Sequence, residues 1–350
     1  MITFKVGIMG AGKIAHKVAE TLTKLEGFSI AAIAAREKER AEEFAKEFSI
    51  EKSYGSYEEL VNDPEIELVY VATVNSTHAE LAKLCINANK PVLVEKPFSH
   101  NAITTKEILD LAKAKNVFCG EALWTKYMPQ FFVLMDGIRK GVIGDVRFVN
   151  STFGYAVADK DRILSPELAG GALLDLGIYP FNLTLSSIPM PPISMISSNL
   201  KFKTELDAQD TFIINYPQGR TATIFLSAIN TLNNKTVING TKGYVEITGP
   251  NSLDDVVFYN ALGEVIHKID PPEGNISGYE YQFLSARKAI ITGNIETPEH
   301  NHAAILANMS LLDNFRKSWG MFYPLPGEDV LQKAADSMKR PGPESPVKNA

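Results

Sequence analysis

The first third of the chain alternates short, continuously apolar segments with amphipathic segments, and this alternation restricts the possible folds more than any other feature. Predicted strands cover residues 6–9, 29–35, 68–72, 92–94 and 118–123, and predicted helices cover residues 14–25, 37–48 and 101–115 and a segment that ends at residue 88. Strands that are apolar on both faces are typical of a parallel sheet covered by helices on both sides. We therefore expect a doubly wound α/β domain over residues 1–123.

Beyond residue 123 the pattern changes to segments in which polar and apolar residues alternate. Predicted strands include residues 147–153, 211–216, 221–227 and 244–248, and predicted helices cover residues 129–140, 171–187, 279–291 and 301–319. Such alternation is typical of an antiparallel sheet with one covered face. We expect an α+β domain over residues 124–320 with a large, mostly antiparallel open sheet, followed by a C-terminal segment and polar tail over residues 321–350.

Composition and charge exclude several classes of function. The chain of 350 residues has a net charge of −6, whereas nucleic acids and anionic membrane surfaces attract basic patches. No continuous apolar run approaches the roughly 18 to 20 residues of a membrane helix, and the first residues lack the features of a signal peptide. Cys85 and Cys119 belong to no metal motif and suit a reducing compartment. We expect a cytoplasmic protein without metal, nucleic acid or membrane partners.

A glycine-rich turn joins the first predicted strand to the first predicted helix. Gly10-Ala-Gly12-Lys13-Ile14-Ala15 fits the pattern G-x-G-x-x-A, in which the first glycine permits a tight turn and the second lets the backbone approach a pyrophosphate. The free N–H groups at the start of the helix would then face the phosphates. The turn predicts a dinucleotide site that includes Gly10, Gly12, Lys13 and Ile14.

Arg36 follows the second predicted strand, where a protein that prefers NAD usually has an acidic residue for the ribose hydroxyl. An arginine at this place would instead pair with the 2′-phosphate of NADP. Glu37 follows directly, although an acidic residue also suits the first turn of a helix. We expect NADP as the cofactor, with NAD possible.

The strand at residues 92–94 leads into Glu95-Lys96-Pro97. Ligands of open α/β sheets bind beyond the carboxyl ends of the strands, so Lys96 is expected to face the cofactor crevice. There an ammonium group could polarise a substrate oxygen and lower the pKa of a neighbouring acid–base group.

Several motifs in order resemble one known family. They are the glycine-rich turn, Asn75 with His78, Glu95-Lys96-Pro97, and Gly170-Gly171-Ala-Leu-Leu-Asp175-Leu-Gly177-Ile-Tyr179. Together they resemble the glucose–fructose oxidoreductase, inositol dehydrogenase and rhizopine-catabolism (Gfo/Idh/MocA) family over the chain up to about residue 319. The segment Glu121-Ala-Leu-Trp124-Thr and Tyr179 resemble its dimeric dihydrodiol dehydrogenase and xylose 1-dehydrogenase branch, whereas many other members have histidine in place of Tyr179.

The resemblance implies an N-terminal Rossmann domain and a C-terminal α/β domain. It implies that Lys96 contacts both substrate and nicotinamide, that the Lys96–Pro97 bond is cis, and that Tyr179 donates or accepts a proton. Further cofactor contacts are expected from Thr73, Asn75, His78 and Glu95.

Asp175 and Tyr179 are four residues apart, which places them on one face of the predicted helix. A tyrosine could take the hydroxyl proton if a nearby cation stabilised its phenolate, so we expect Lys96 to lower the pKa of Tyr179. Asp175 would hold Lys96 or position substrate hydroxyls.

Trp124 would stack on a sugar or diol ring, or be a buried tryptophan between the domains. Arg162 would reach substrate, or lie on the surface.

These features predict an NADP-dependent oxidoreductase that acts on a small polyhydroxylated substrate. The alternatives are a catalytically silent dinucleotide sensor and an enzyme that shuttles a tightly held cofactor between two sugars.

An open sheet also needs its second face covered. We therefore expect a homodimer or a higher even oligomer, paired through whichever of Phe212, Ile214, Phe225 and Val237 face outward.

Overall fold

The computed structural model describes residues 3–338, so the predicted polar tail from Lys339 onward lies outside the described residues. A six-stranded sheet forms in the first third of this part of the chain. Its strands are β1 (Phe4–Met9), β2 (Phe28–Ala34), β3 (Lys52–Tyr54), β4 (Leu68–Val71), β5 (Val92–Glu95) and β6 (Cys119–Ala122). All neighbours pair in parallel, in the order β3-β2-β1-β4-β5-β6. This is the predicted doubly wound α/β domain of the Rossmann type.

Helices connect these strands and cover both faces of the sheet. They are α1 (Lys13–Leu22), α2 (Lys38–Phe48), α3 (Tyr57–Asn62), α4 (His78–Asn87) and α5 (Ala102–Lys115). The ends of α5 show why the chain folds this way locally. The side chain of Asn101 accepts a hydrogen bond from the N–H of Thr104 and caps the helix start, and Asn116 ends it in the left-handed conformation.

The second part of the chain forms an eight-stranded sheet. Its strands are β7 (Val146–Gly154), β8 (Ser194–Lys201), β9 (Asp207–Tyr216), β10 (Arg220–Ser227), β11 (Lys235–Gly240), β12 (Gly243–Thr248), β13 (Asp255–Asn260) and β14 (Val265–Ile269). The order is β14-β13-β12-β11-β7-β10-β9-β8, and the pairs are antiparallel except for β7 with β10. The predicted large, mostly antiparallel sheet is therefore confirmed.

Six helices accompany this sheet within residues 3–338. They are α6 (Pro129–Arg139), α7 (Asp161–Leu164), α8 (Ile178–Ser187), α9 (Glu280–Ile291), α10 (His302–Trp319) and α11 (Glu328–Met338). Phe181 of α8, Phe212 of β9 and Phe315 of α10 pack together, which places α8 and α10 against the inner face of the sheet. Phe283 of α9 instead joins the apolar core of the first sheet.

One helical stretch in the described residues, Pro166–Ser187, is long and apolar enough to span a membrane by length and composition alone. This stretch is not a continuous apolar run, because polar residues such as Asp175, Asn182 and Thr184 interrupt it. Within the fold, 89% of the window is buried. Buried core helices have the same property, so the stretch is weak evidence for a membrane span.

The outer face of the second sheet is defined by the alternation of buried and exposed residues. Phe212 and Ile214 are fully buried on the inner face, whereas Phe225 and Val237 lie on the outer face, where Ile213 is also exposed. Of the four residues proposed to pair the sheets of two copies of the chain, only Phe225 and Val237 therefore lie on the face that could form such an interface. Because side chains of a strand alternate between the two faces, Phe212 and Ile214 belong to the core.

Candidate active site

The turn between β1 and α1 has the geometry that a pyrophosphate requires. Gly10 has a φ of +99°, and a Cβ atom there would lie 2.8 Å from the carbonyl oxygen of Ala72. A Cβ on Gly12 would have no described atom within 4 Å, so this glycine faces open space. Among the described residues no side chain caps α1 and no acidic residue lies in its first turn. The free N–H groups therefore suit an anionic phosphate.

Lys13 and Ile14 begin α1 directly after Gly12. Lys13 is exposed and Ile14 is half-buried, whereas Ala15 is fully buried where the helix packs on the sheet. The small side chain of Ala15 is what allows this close packing.

Two arginines lie at the end of β2, where the ribose of a dinucleotide would bind. Arg36 is exposed, and Arg40 donates a hydrogen bond at 3.3 Å to the carbonyl oxygen of Ala11 in the glycine-rich turn. The pKa of Tyr57 is raised mainly by burial and lowered in part by the charges of both arginines, so its phenol lies near them. Glu37 is the N-cap residue of α2. The arrangement offers two cations to a 2′-phosphate.

Thr73 and Asn75 follow β4 at the same edge of the sheet. The hydroxyl of Thr73 accepts a hydrogen bond from Thr77 at 2.8 Å, and the amide of Asn75 donates to the carbonyl oxygen of Ala169 at 3.3 Å. Asn75 thus joins the first domain to the segment that precedes α8.

His78 does not face the crevice. It is 1% exposed, and its two ring nitrogens lie 2.9 Å from the carbonyl oxygen of Pro97 and 3.2 Å from that of Thr73. The buried ring lies between the two strand-end loops, where its single N–H can donate to one of these carbonyl oxygens. The expected contact of His78 with the cofactor stays a prediction.

Glu95 is also turned away from the crevice. Its carboxylate accepts hydrogen bonds from the Tyr70 hydroxyl at 2.5 Å and from the Lys96 N–H at 3.2 Å, and the residue is 6% exposed. Burial raises the pKa of Glu95 to about 7, against the opposing effects of Tyr70 and Lys96. The carboxylate therefore supports Lys96, and the expected contact of Glu95 with the cofactor stays a prediction.

Lys96 and the helix of the second domain meet in the crevice. The Lys96 Nζ donates to the carbonyl oxygen of Asp175 at 2.7 Å, lies 3.6 Å from the Asp175 carboxylate and sits 5.1 Å from the centre of the Tyr179 ring. The Lys96–Pro97 bond is cis, as the resemblance implied. Three residues predicted to act together, from two domains, are thus brought within contact of one another.

The segment that carries Asp175 and Tyr179 is irregular. Leu173–Gly177 forms a π-helical turn that continues into α8. Pro180 has no N–H group. One carbonyl group of the preceding turn therefore lacks its helical hydrogen bond. Within the π-helical turn the carbonyl oxygen of Asp175 accepts a hydrogen bond from the Lys96 ammonium group.

Asp175 is a buried carboxylate between two cations. It forms ion pairs with Lys96 and with Arg162, whose side chain is 44% exposed. Burial acts to raise the pKa of Asp175, but the charges of Lys96 and Arg162 bring it below its ordinary value. Arg162 therefore reaches from the protein surface to Asp175, and this ion pair connects it to the site.

The expected pKa shift of Tyr179 is wrong in direction. Burial, the largest cause, raises the pKa of Tyr179 well above its ordinary value, and the charge of Glu95 adds to this effect. The indole N–H of Trp124 acts to lower the pKa of Tyr179, although the indole and the phenol do not meet the geometric criteria of a hydrogen bond. Lys96 faces the ring of Tyr179 and not its hydroxyl, so it does not offset the cost of burying a phenolate.

Trp124 lies at the end of β6, 7% exposed. Its indole stacks on the ring of Tyr279 with centroids 4.4 Å apart and planes 12° apart, and a Cβ on Gly278 would lie 2.7 Å from the indole edge. One face of the indole is therefore covered by the protein itself, as the buried alternative predicted. A contact between the other face and substrate stays a prediction.

Sequence reasoning missed Arg40, Tyr70 and Tyr279. Arg40 is four residues after Arg36 at the start of a helix, a spacing that could have indicated a second cation near the ribose. Tyr70 points inward from a strand that is apolar throughout, and Tyr279 is 155 residues from Trp124 in the chain. No local pattern could have paired either of them with the site.

The fold and the crevice together define a dinucleotide-binding protein with an oxidoreductase-type site between two domains. Residues 4–122 match the family model described as "Oxidoreductase family, NAD-binding Rossmann fold", and residues 134–246 match the GFO/IDH/MocA C-terminal domain. The trans-1,2-dihydrobenzene-1,2-diol dehydrogenase of Xenopus tropicalis is 31% identical over 327 residues, which cover 91% of this chain and 99% of that protein. The chain belongs to the Gfo/Idh/MocA oxidoreductase family.

Solved structures with lower identity share the fold. Aldose-aldose oxidoreductase from Caulobacter crescentus, complexed with glycerol, superposes with a TM-score of 0.80 at 21% identity and covers 96% of this chain and 98% of its own. A 3-ketoreductase from Actinomadura kijaniata, in complex with NADP and TDP-benzene, has a TM-score of 0.79 at 21% identity, with 89% and 96% covered.

Proposed function

We propose that this protein transfers a hydride between NADP(H) and the hydroxyl or carbonyl carbon of a small sugar or cyclic diol. In this proposal residues 1–123 bind the dinucleotide, residues 124–320 bind substrate and form the oligomer, and residues 321–350 are a C-terminal segment. The observation that carries the proposal is the meeting of Lys96 with Asp175 and Tyr179 across the crevice. Alcohol oxidation needs a charge that stabilises the oxygen and a group that takes the proton.

The dinucleotide would be held at the carboxyl ends of β1, β2, β4 and β5. Gly10, Gly12, Lys13 and Ile14 would hold the pyrophosphate, and Arg36 with Arg40 would hold the 2′-phosphate. Thr73 and Asn75 lie along the path toward Lys96, where the nicotinamide would reach the second domain. NADP, when bound, supplies the carbon that takes up or releases the hydride.

The chain's own side chains would perform the proton chemistry. Lys96 is held in place by Asp175 and would direct its positive charge to the substrate oxygen. Tyr179 is the proton carrier in this proposal, and its raised pKa makes it a proton donor in carbonyl reduction at neutral pH. Arg162 pairs with the same carboxylate oxygen of Asp175 as Lys96, so two cations share one buried carboxylate and leave positive charge toward an oxygen-rich substrate.

The proposed substrate class rests on the relatives and on the shape of the site. The Xenopus relative is named for a cyclic diol, and the Caulobacter neighbour for aldoses. A diol or sugar would offer a second hydroxyl to Arg162 and an apolar ring face to Trp124. We further propose a cytoplasmic homodimer or higher even oligomer, with the outer face of the second sheet as its interface.

A substrate screen tests the proposal. Aldoses, deoxy-sugars and cyclic trans-diols are incubated with NADP or NAD, and turnover is followed by the absorbance of the reduced cofactor. We expect turnover of at least one class, with NADP preferred. If the protein binds NADP tightly but turns over none of these substrates, the catalytically silent sensor becomes the better account.

A further inference from the structure

A second cavity lies away from the crevice. It has a volume of about 540 Å³ and is bounded by the second half of α8, the prolines that follow it and the middle of α10, with Lys126 at one end. No residue of the candidate active site is among those that line it within residues 3–338. Its size is within the range of pockets that hold small molecules.

Lys126 brings a positive charge to this cavity without a carboxylate to neutralise it. It is half-buried, its Nζ donates to the Ser186 hydroxyl at 3.3 Å and lies 4.6 Å from the centre of the Phe131 ring. Within the described chain Lys126 forms no salt bridge, and no acidic residue lines the cavity. Burial lowers the pKa of Lys126 to about 8, with no nearby acid opposing the shift.

Asn182 adds a second donor at the same cavity. It is 3% exposed, and among residues 3–338 its side-chain N–H₂ group has no hydrogen-bonding partner. A buried donor without an acceptor costs free energy, so such groups usually meet a water, an ion or a ligand. Lys126 and Asn182 together offer several N–H donors to one negatively charged acceptor.

The remaining walls are mostly apolar. Leu185, Met190 and Leu311 line the cavity together with Pro189, Pro191 and Pro192. A phosphate dianion in such a place would need more than one cation, whereas a carboxylate with one charge matches one lysine and one amide. The apolar walls would then contact the hydrocarbon part of the same molecule.

We propose that this cavity binds a small organic carboxylate, with its carboxylate group at Lys126 and Asn182 and its apolar part against Leu185, Met190 and Leu311. The site is separate from the cofactor crevice. It does not depend on the proposed oxidoreductase function.

Calorimetric titration with benzoate tests the proposal on protein saturated with NADP. We expect saturable binding of one benzoate per chain, and binding of the uncharged benzyl alcohol that is weaker by about tenfold or more. Lys126→Met keeps the aliphatic stem but removes the charge, and it should weaken benzoate binding about tenfold or more. The matched control is Lys140→Met, since the Lys140 side chain is 73% exposed, and it should bind benzoate unchanged.

Asn182→Asp gives an independent check if Lys126→Met does not fold. It places a carboxylate beside Lys126, so it should abolish benzoate binding while thermal unfolding stays cooperative. No saturable binding up to about 10 mM benzoate would overturn the proposal. Equal binding by the original protein and Lys126→Met would also overturn it, as would binding lost in Lys96→Met but kept in Lys126→Met, which would place the benzoate in the crevice.

Discussion

At the residue scale, the candidate active site depends on one ammonium group that is held by the other domain. The Lys96 Nζ contacts both the carbonyl and the carboxylate of Asp175, and it faces the ring of Tyr179. Glu95 and Tyr70 support the strand end from which Lys96 projects. The position of Lys96 is therefore fixed by both domains.

The raised pKa of Tyr179 predicts the pH dependence of turnover. Because burial keeps the phenol protonated, carbonyl reduction should be nearly constant from about pH 6 to about pH 9. Oxidation should rise with pH without levelling off below about pH 10, the ordinary pKa of tyrosine. Steady-state kcat measured against pH in both directions checks this. A rise that levels off near pH 7 would contradict it and would point to Glu95, whose pKa is about 7.

Cofactor preference should reside in two arginines. Arg36→Ala should weaken NADP binding by about 1.5 to 3 kcal/mol, the usual contribution of a charged hydrogen bond, and leave NAD binding nearly unchanged. Arg40→Ala should act in the same direction because Arg40 lies beside the glycine-rich turn. Fluorescence titration with both cofactors provides the comparison. Equal loss of NADP and NAD affinity would mean that the arginines only maintain the fold of this region.

The residues that sequence reasoning found are those that a local pattern identifies. Gly10 and Gly12 lie between a strand and a helix, and Lys96 follows a buried strand, so their places in the crevice could be predicted. The orientations of the Glu95 and His78 side chains could not be predicted, because each is set by hydrogen-bonding partners on other strands and loops. The pKa of Tyr179 depends on its burial between the two domains, which no spacing encodes.

At the scale of elements, the segment before α8 is held by buried acids of β9. Asp207 accepts a hydrogen bond from the Leu173 N–H at 2.5 Å, and Asp210 lies on the same strand, 1% exposed. Burial first, and then the charge of Asp207, raises the pKa of Asp210 well above its ordinary value. Two adjacent carboxyl groups in a dry interior cannot both be charged at low cost, so folding favours the protonated form of Asp210.

Asp210→Asn should therefore stabilise the protein at alkaline pH. A carboxyl group whose pKa is raised by folding contributes its full stability below its unfolded pKa of about 4 and loses it as the pH rises through the folded pKa. Asparagine keeps the uncharged shape, so thermal unfolding at pH 8 should occur about 2 to 4 °C higher, with little change at pH 5. Asp145→Asn, at an exposed site, is the control. A lower unfolding temperature at pH 8 would contradict the assignment.

Long periodic elements could be predicted from sequence, and short or polar ones could not. α5 and α10 begin and end within one residue of the predicted bounds, because asparagines cap their first turns. β8 was missed because it is an edge strand whose residues are mostly polar or exposed. α11 was missed because its charged sequence looks like solvent-exposed tail, although Leu331 and Ala335 are buried.

At the scale of the whole molecule, the second sheet has one face covered by helices and one face open. Phe148, Ile196 and Ile213 are exposed on strands of this sheet, and Phe225 and Val237 lie on the open face. An apolar surface of this kind is typical of a protein–protein interface. Since the strands are continuous and the face is broad, a second copy of the sheet is the partner that we propose for it.

Ile213→Glu should separate the proposed dimer. Light scattering of the original protein should give twice the chain mass of 38.5 kDa. The variant should give the single-chain mass, because a charge on the paired face would be buried without a partner. Leu262→Glu is the control, because Leu262 is 83% exposed in the turn between β13 and β14. A single-chain mass for the original protein at micromolar concentration would contradict the proposed interface.

The most direct test of the account compares turnover with cofactor affinity in Lys96→Met and Tyr179→Phe, using a substrate found in the screen. If the two side chains form the proton and charge machinery, kcat should fall by about 10² to 10⁴ in Tyr179→Phe and at least as far in Lys96→Met. NADP affinity should change little in Tyr179→Phe, since the phosphates bind at the glycine-rich turn. If either variant turns over at the original rate, hydride transfer does not depend on that residue, and the site between the two sheets has been wrongly assigned.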